Sequence, residues 1–274
     1  MKHTNKISSR DNGKLVMARR VRDGKIEGLI FVEGLRLAEE VLRSGLAISE
    51  CFVAPGFADA ARGRELMDKI EETGVVISEV SENLFQSLAD TSNSQGIIVI
   101  AARPTSGVSK IEENLRSKSP VLVVMLHEVN DPSNLGALFR TAEAVGVAGM
   151  IVSNGSADVF SPKALRAAMG ASFRVPVWEK AGLNEVIAWS RLQGLRTTAA
   201  DIDAEIQYTQ VDWRLPRLVV FGSEAHGLTR NTLEMIDDVI LIPMQNKVES
   251  LNLAVSAGII LFEAVRQNQV STNK

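Results

Sequence analysis

The chain has 274 residues, 45% of them hydrophobic and 23% charged, with a formal net charge of -3. That length suits two ordinary domains, and the composition is that of a soluble globular protein. No stretch approaches the ~18 consecutive apolar residues of a membrane span, and the N-terminus lacks the apolar core of a signal peptide, so a membrane protein is excluded and a cytoplasmic location is expected. The single cysteine, Cys51, has no second thiol for a disulfide or a zinc site and reads as a small buried residue; no metal is expected.

Residues 1–25 carry basic Lys2, Lys6, Arg10, Lys14, Arg19, Arg20, Arg22 and Lys25 against acidic Asp11 and Asp23. Such a segment suits either a nucleic-acid phosphate backbone, with Arg19 and Arg20 as contacts, or a solvated terminus. Residues 26–104 alternate short apolar runs with amphipathic stretches and predict a small α/β domain. In it FVEGLRLAEEVLRSG reads as a helix burying Leu35, Ala38, Val41 and Leu42, and ISECFVAPG, VVISEV and SQGIIVIAA read as strands. The Pro, Ser, Gly and charge of RPTSGVSKIEENLRSKSP mark residues 105–119 as a linker.

From residue 120 to 274 longer β-branched runs alternate with helices. VLVVML, MIV, a strand near 196–200, RLVVFG and VILIPM are the strands, with helices from about Asn134, Ser161, 183 and Ser250. Continuous apolar strands interleaved with helices predict an α/β domain whose parallel sheet is covered on both faces, with ligands bound beyond the carboxyl ends of the strands.

Three loops at those ends are unusually polar. HEVNDPSNLGALFRTAEAVG opens a helix at Asn134, whose side chain suits an N-cap; Arg140, six residues on, is either a structural residue at a helix edge or a functional one. GSEAHGLT has the glycine spacing of a phosphate loop at Gly222 and Gly227, but Leu228 stands where a Walker A motif needs lysine, so triphosphate binding is disfavoured. What remains is a glycine turn able to approach a ligand, with Glu224 as an acceptor; His226 reads as structural. IPMQNKVESLNLAVSAGIILFEAVRQ enters a helix near Ser250 and Asn252, where capping and ligand contact are both open readings.

Taken together, NDPSNLGALFRTAEAVG, LVVFGSEAHGL and IPMQNKVESLNLAVSAGIILFE resemble, in order and spacing, the three signature motifs of the SpoU family of tRNA/rRNA 2′-O-ribose methyltransferases. VEGLRLAEEVLRSG and SQGIIVIA resemble the ribosomal-protein-like substrate-binding domain that precedes the catalytic domain in many members. The resemblance implies a deep trefoil knot in the C-terminal domain, a homodimer, and S-adenosylmethionine as cofactor. It assigns catalytic positions to Asn134, Arg140, Glu224, Ser250 and Asn252, and cofactor-binding positions to Gly222, Ser223, Ile242, Met244 and Leu251. Asn246 and Lys247 depart from the small pair usual in the third motif. SPKALRAAMGASFRVPV resembles the segment joining the first two motifs, and its Lys163, Arg166 and Arg174 are candidate contacts to RNA phosphate.

The reaction so implied is attack of a ribose 2′-hydroxyl on the methyl group of S-adenosylmethionine. A guanidinium is a poor proton acceptor, so Arg140 is read as stabilising the developing alkoxide rather than as a base. The full N-terminal domain favours large-subunit rRNA over tRNA. The rival readings are a catalytically inactive RNA-binding member of the fold and a nucleotide hydrolase.

Overall fold

The computed structural model describes residues 5–105, 107–117, 121–245 and 250–272 and groups them into two compact units. The first runs to Thr105 and includes Phe160–Phe173; the second is the rest. In chain order the elements are β1 (Asn5–Ile7), α1 (Gly13–Arg22), β2 (Leu29–Glu33), α2 (Leu35–Arg43), β3 (Ile48–Val53), α3 (Ala61–Glu72), β4 (Ile77–Val80), α4 (Glu82–Leu88) and β5 (Ile97–Ala102). They continue as α5 (Val108–Leu115), β6 (Leu122–Leu126), α6 (Pro132–Val145), β7 (Gly149–Ser153), α7 (Pro162–Ala168), α8 (Ala171–Arg174), β8 (Val177–Ala181), α9 (Leu183–Leu192) and β9 (Arg196–Ala200). The last are β10 (Ile206–Gln207), β11 (Arg217–Phe221), α10 (Arg230–Leu233), β12 (Asp238–Leu241) and α11 (Leu253–Thr272).

In the first unit the sheet order is β1-β4-β3-β5-β2, with β5 antiparallel to both its neighbours. Phe31, Phe52, Phe85, Ile98 and Ile100 form its core, and α1 adds Leu15, Ala18 and Val21. The start of the expected first helix is a strand: Phe31, Val32 and Glu33 are fully extended and paired with β5, and the helix begins only after Gly34 (φ 102). Its buried face is Leu37, Ala38 and Val41, with Leu35 and Leu42 half-buried. Cys51 is buried in β3, and burial pushes its thiol up to about 12, which leaves it inert.

The basic N-terminal segment is built into this unit from Asn5 onward. β1 pairs with β4, Lys6 faces Glu79 at 3.5 Å and Lys14 faces Glu50 at 2.7 Å. Arg22 donates to the carbonyl of Leu88 at 3.0 Å, satisfying an acceptor at the end of α4. Much of the cationic excess is therefore matched internally.

The second unit is a seven-stranded parallel sheet of order β10-β12-β9-β11-β6-β7-β8. All five residues of β6, β7 and β11 are buried, which is why these segments read as unbroken apolar runs. The expected linker contains α5, whose Ile111 is fully buried in this core; a single apolar anchor in a polar stretch is too weak a periodic signal to mark a helix. The long α11 packs against α6. Its C-terminal half is tied to the chain before β11: Gln267 Oε1 accepts from the Trp213 backbone N–H at 3.1 Å, and Asn268 Nδ2 donates to the Trp213 carbonyl at 3.0 Å.

Arg217 is 2% exposed, and its charge is met by Asp238 at 2.6 Å, with the Thr198 hydroxyl at 2.7 Å and the Asp212 carbonyl at 3.0 Å. Asp238 also takes a two-pronged contact from Arg196. Hydrogen bonding from Arg196, and then Arg217, holds the Asp238 carboxyl below the ordinary value of 3.8 against the opposing effect of burial. A group with a depressed folded-state pKa contributes stability that is complete above the unfolded value and lost as pH falls through the folded one. Asp238→Asn should therefore cost about 3 kcal/mol in urea unfolding at neutral pH, by leaving Arg217 poorly paired, and should show a shallower further loss than wild type below pH 3.8.

Candidate active site

The loops after β6, β11 and β12 meet at one carboxylate. Glu224 Oε1 accepts from Asn134 Nδ2 at 3.0 Å, and the backbone N–H groups of Asn130 and Asp131 approach its two oxygens at 3.3 and 3.4 Å. Asn134 Oδ1 in turn accepts from Asn252 Nδ2 at 3.0 Å. Asn252 Oδ1 accepts from the backbone N–H groups of Ala254 and Val255 at 2.9 and 3.3 Å, capping α11. An amide side chain offers both donor and acceptor, so two asparagines in series can hand one carboxylate's charge from loop to loop with every polar atom matched.

The N-cap of α6 is Asp131, whose side chain accepts from the Ser133 N–H at 2.9 Å, and Pro132 holds the first helical position. Asn134 is thereby released from the capping role its sequence position suggests and turns its side chain to Glu224 and Asn252. Asn252 meets both of its open readings at once, as cap and as network member. Ser250 is exposed, and among the described residues no hydrogen bond joins it to the trio. Arg140 is exposed on α6, without an ion pair among the described residues. It lies about 9 Å further along the helix axis than Asn134 and on another face, so one chain does not bring it to the trio. Asn246 and Lys247 lie outside the described residues.

The glycine turn after β11 also meets a demand within the fold. A Cβ on Gly222 would lie 2.4 Å from the backbone carbon and oxygen of Gly227 and 2.7 Å from the Leu228 nitrogen. The turn folds back on Gly222 itself, closed by Gly227 N–H donating to the Ser223 carbonyl at 2.9 Å. Leu228 is 7% exposed and belongs to the core. His226 is exposed and contributes its backbone N–H to the Ser223 hydroxyl at 3.3 Å. On the other side, the hydroxyls of Ser153 and Ser156 hold the backbone N–H groups of Glu128 and Val129 at 2.9 and 3.2 Å, with Glu128 at φ 56. Both serines follow or end β7, and nothing in their local sequence marks that role.

β12 and β6 are separated in the sheet by β9 and β11, yet Asn252 bonds to Asn134 beyond β6. The connection from β12 to α11 thus ends on the far side of β11. Along it Ile242, Met244 and Leu251 are half-buried apolar residues, and among the described residues their backbone N–H groups have no internal partner. Half-buried apolar side chains beside open main-chain donors are the chemistry that an adenosyl group recognises, so the residues present fit S-adenosylmethionine.

Of the expected RNA contacts, Arg166 pairs with Asp90 at 2.8 Å, Arg174 makes a two-pronged pair with Glu143, and Arg19 donates to the Arg10 carbonyl at 3.1 Å. Lys163 and Arg20 are exposed. Residues 160–173 group with the first unit, so Lys163 and Arg166 belong there and Arg174 to the second.

The fold and this site define a parallel-sheet α/β enzyme with its ligand loops at the strand carboxyl ends. Residues 121–262 match the model of the SpoU rRNA methylase family, and residues 31–107 match the RNA 2′-O ribose methyltransferase substrate-binding model. A tRNA/rRNA methyltransferase of Synechocystis is 31% identical over 89% of this chain and 86% of its own length. The 23S rRNA (guanosine-2′-O-)-methyltransferase RlmB of Vibrio parahaemolyticus is 32% identical over 86% of this chain and 96% of its own. The AdoMet-bound rRNA methyltransferase from Sinorhizobium meliloti superposes with a TM-score of 0.80 at 27% identity, covering 96% of this chain and 98% of that one. The chain belongs to the SpoU rRNA methylase family. It is an S-adenosylmethionine-dependent RNA 2′-O-methyltransferase.

Because Gly222 is enclosed by backbone rather than by flexible side chains, Gly222→Ala should destabilise the protein by about 1–3 kcal/mol and lower S-adenosylmethionine affinity at least tenfold by calorimetry. Glu224→Gln places an amide where three N–H donors converge. It should reduce methyl transfer by about two orders of magnitude with a melting temperature close to wild type, since the group is exposed.

Proposed function

We propose that this protein methylates a ribose 2′-hydroxyl in large-subunit rRNA, as a cytoplasmic homodimer whose catalytic domain carries a deep trefoil knot. The observation that carries the reading is the Glu224–Asn134–Asn252 network, which joins the three motif loops at the carboxyl ends of the sheet. Large-subunit rRNA is favoured over tRNA because the likeness to RlmB extends through both matched regions rather than the catalytic one alone.

Gly222, Ser223, Ile242, Met244 and Leu251 would hold S-adenosylmethionine, which supplies an electrophilic methyl group when bound. Glu224 acts through Asn134 and Asn252 as a positioning residue, keeping the loops on either side in register. Arg140 stabilises the negative charge that develops on the ribose oxygen, while the hydroxyl proton passes to a substrate phosphate or water. Ser250, one residue before Leu251, lies on the same loop for contact with the reacting ribose. Placing reactants about 3 Å apart supplies several kcal/mol of the barrier by proximity.

A dimer accounts for Arg140 standing apart from the trio of its own chain. It also accounts for Val255 and Phe262, which lie two turns apart on one face of α11 and are 50% and 52% exposed. Lys163, Arg166, Arg174, Arg19 and Arg20 are the proposed phosphate contacts of the RNA.

Mapping 2′-O-methylation in cellular rRNA with and without the gene, then restoring the lost mark with purified protein and S-adenosylmethionine, tests the reading; a complete absence of cofactor binding at millimolar concentration overturns it. Arg140→Lys should keep roughly a tenth of wild-type kcat while Arg140→Ala loses about a thousandfold. Equal and complete loss in both would exclude a simple charge role.

A further inference from the structure

The first unit contains a cavity of about 620 Å³, within the roughly 300–1,000 Å³ of ligand-sized sites. Its floor is the junction of β2 and α2, where Glu33 is 4% exposed and its carboxylate is engaged by the backbone N–H groups of Asp90 and Thr91 at 2.6 and 3.2 Å and by the Thr91 hydroxyl. That carboxylate is fully used in holding the loop after α4, so its charge is not what the cavity offers.

Three guanidinium groups line the space. Arg62 is matched by Glu39, and Arg166 by Asp90, although Arg166 Nη1 is a buried donor with no partner. Arg36 is exposed and has no ion pair among the described residues. At the start of α2, Gln95 Oε1 accepts from the Leu35 N–H at 3.0 Å, whereas the N–H groups of Arg36 and Leu37 have no partner among the described residues. Gln95 and Met169 hold their places in the wall at φ 55 and 51, conformations uncommon for residues with side chains. Asn93 completes the rim, and with the Gln95 Nε2 group it offers amide donors and an acceptor.

A cation and open backbone donors at the start of α2, with the Asn93 amide elsewhere in the same lining, match one nucleotide, its phosphate at the first and its base edge at the second. Sequence-specific RNA recognition takes such nucleotides from loops and bulges, where the base can be splayed out of the stack. We propose that this cavity receives a single unstacked nucleotide of the RNA substrate, its phosphate at Arg36 and the start of α2 and its base edge at Asn93. The proposal rests on the RNA methyltransferase reading above and adds a second point of recognition, remote in sequence from the three motifs.

The test uses the full chain and unmodified 23S rRNA made by transcription, with filter binding across a salt series and S-adenosylmethionine calorimetry on every variant. Arg36→Glu should weaken RNA binding at least tenfold and lower the salt slope by about one, because one phosphate contact is lost. Asn93→Ala should weaken binding about five- to tenfold with the slope unchanged, since no charge is removed. Cofactor affinity within twofold of wild type in both variants establishes that the fold and the methyl-donor site are intact. RNA affinities within twofold of wild type for both variants would overturn the proposal while leaving the methyltransferase reading standing. Displacement of RNA by free guanosine monophosphate or uridine monophosphate at equal concentration would also overturn it, assigning the cavity to a free nucleotide. Wild-type protein that binds neither RNA nor cofactor would overturn both readings.

Discussion

The Glu224 carboxylate is the constraint on which the catalytic unit depends. It lies on a turn that packs its backbone closely over Gly222, and from there it accepts from the two backbone N–H groups that precede α6 and from the amide of Asn134. Asn134 then fixes Asn252, and Asn252 caps the last helix. Three loops separated by up to 118 residues of chain are thus held by one charge and two amides. Because the group is exposed, removing its charge costs the fold little and is felt instead in how the loops are held together.

The buried Arg217–Asp238 pair serves a comparable purpose within the sheet. A guanidinium at 2% exposure is tolerable only because a carboxylate, a hydroxyl and a carbonyl all receive it. It links β11 to the first residue of β12 across β9, and so sets where the strand that leads to α11 begins.

Much of this architecture was legible in the chain. The unbroken apolar runs VLVVML and RLVVFG announced central parallel strands, and the joint order of three polar loops announced the family before any geometry was known. What was hidden depends on partners far away in sequence. Asn134 reads as a cap until Asp131 is seen in that place and Glu224, ninety residues on, is seen to claim it. Residues 160–173 have nothing in their local pattern to show that they join the first unit. Strands β1 and β10, of three and two residues, are too short for a periodicity to register. The Asn12-capped helix α1 was obscured by its charge, part of which, at Lys14, is met by Glu50 of β3.

The attachment of α11 at both ends bears on how the protein comes into being. Its start is bound to Asn134 and its far half to Trp213, so neither bond can form until α6 and the chain before β11 are already in place. These are contacts of high sequence separation, whose loop-closure entropy delays them relative to local structure. The loop between β12 and α11 is consequently completed after the rest of its sheet has folded, and a chain in which α11 has not docked would hold that sheet without the Asn134–Asn252 contact that joins its loops.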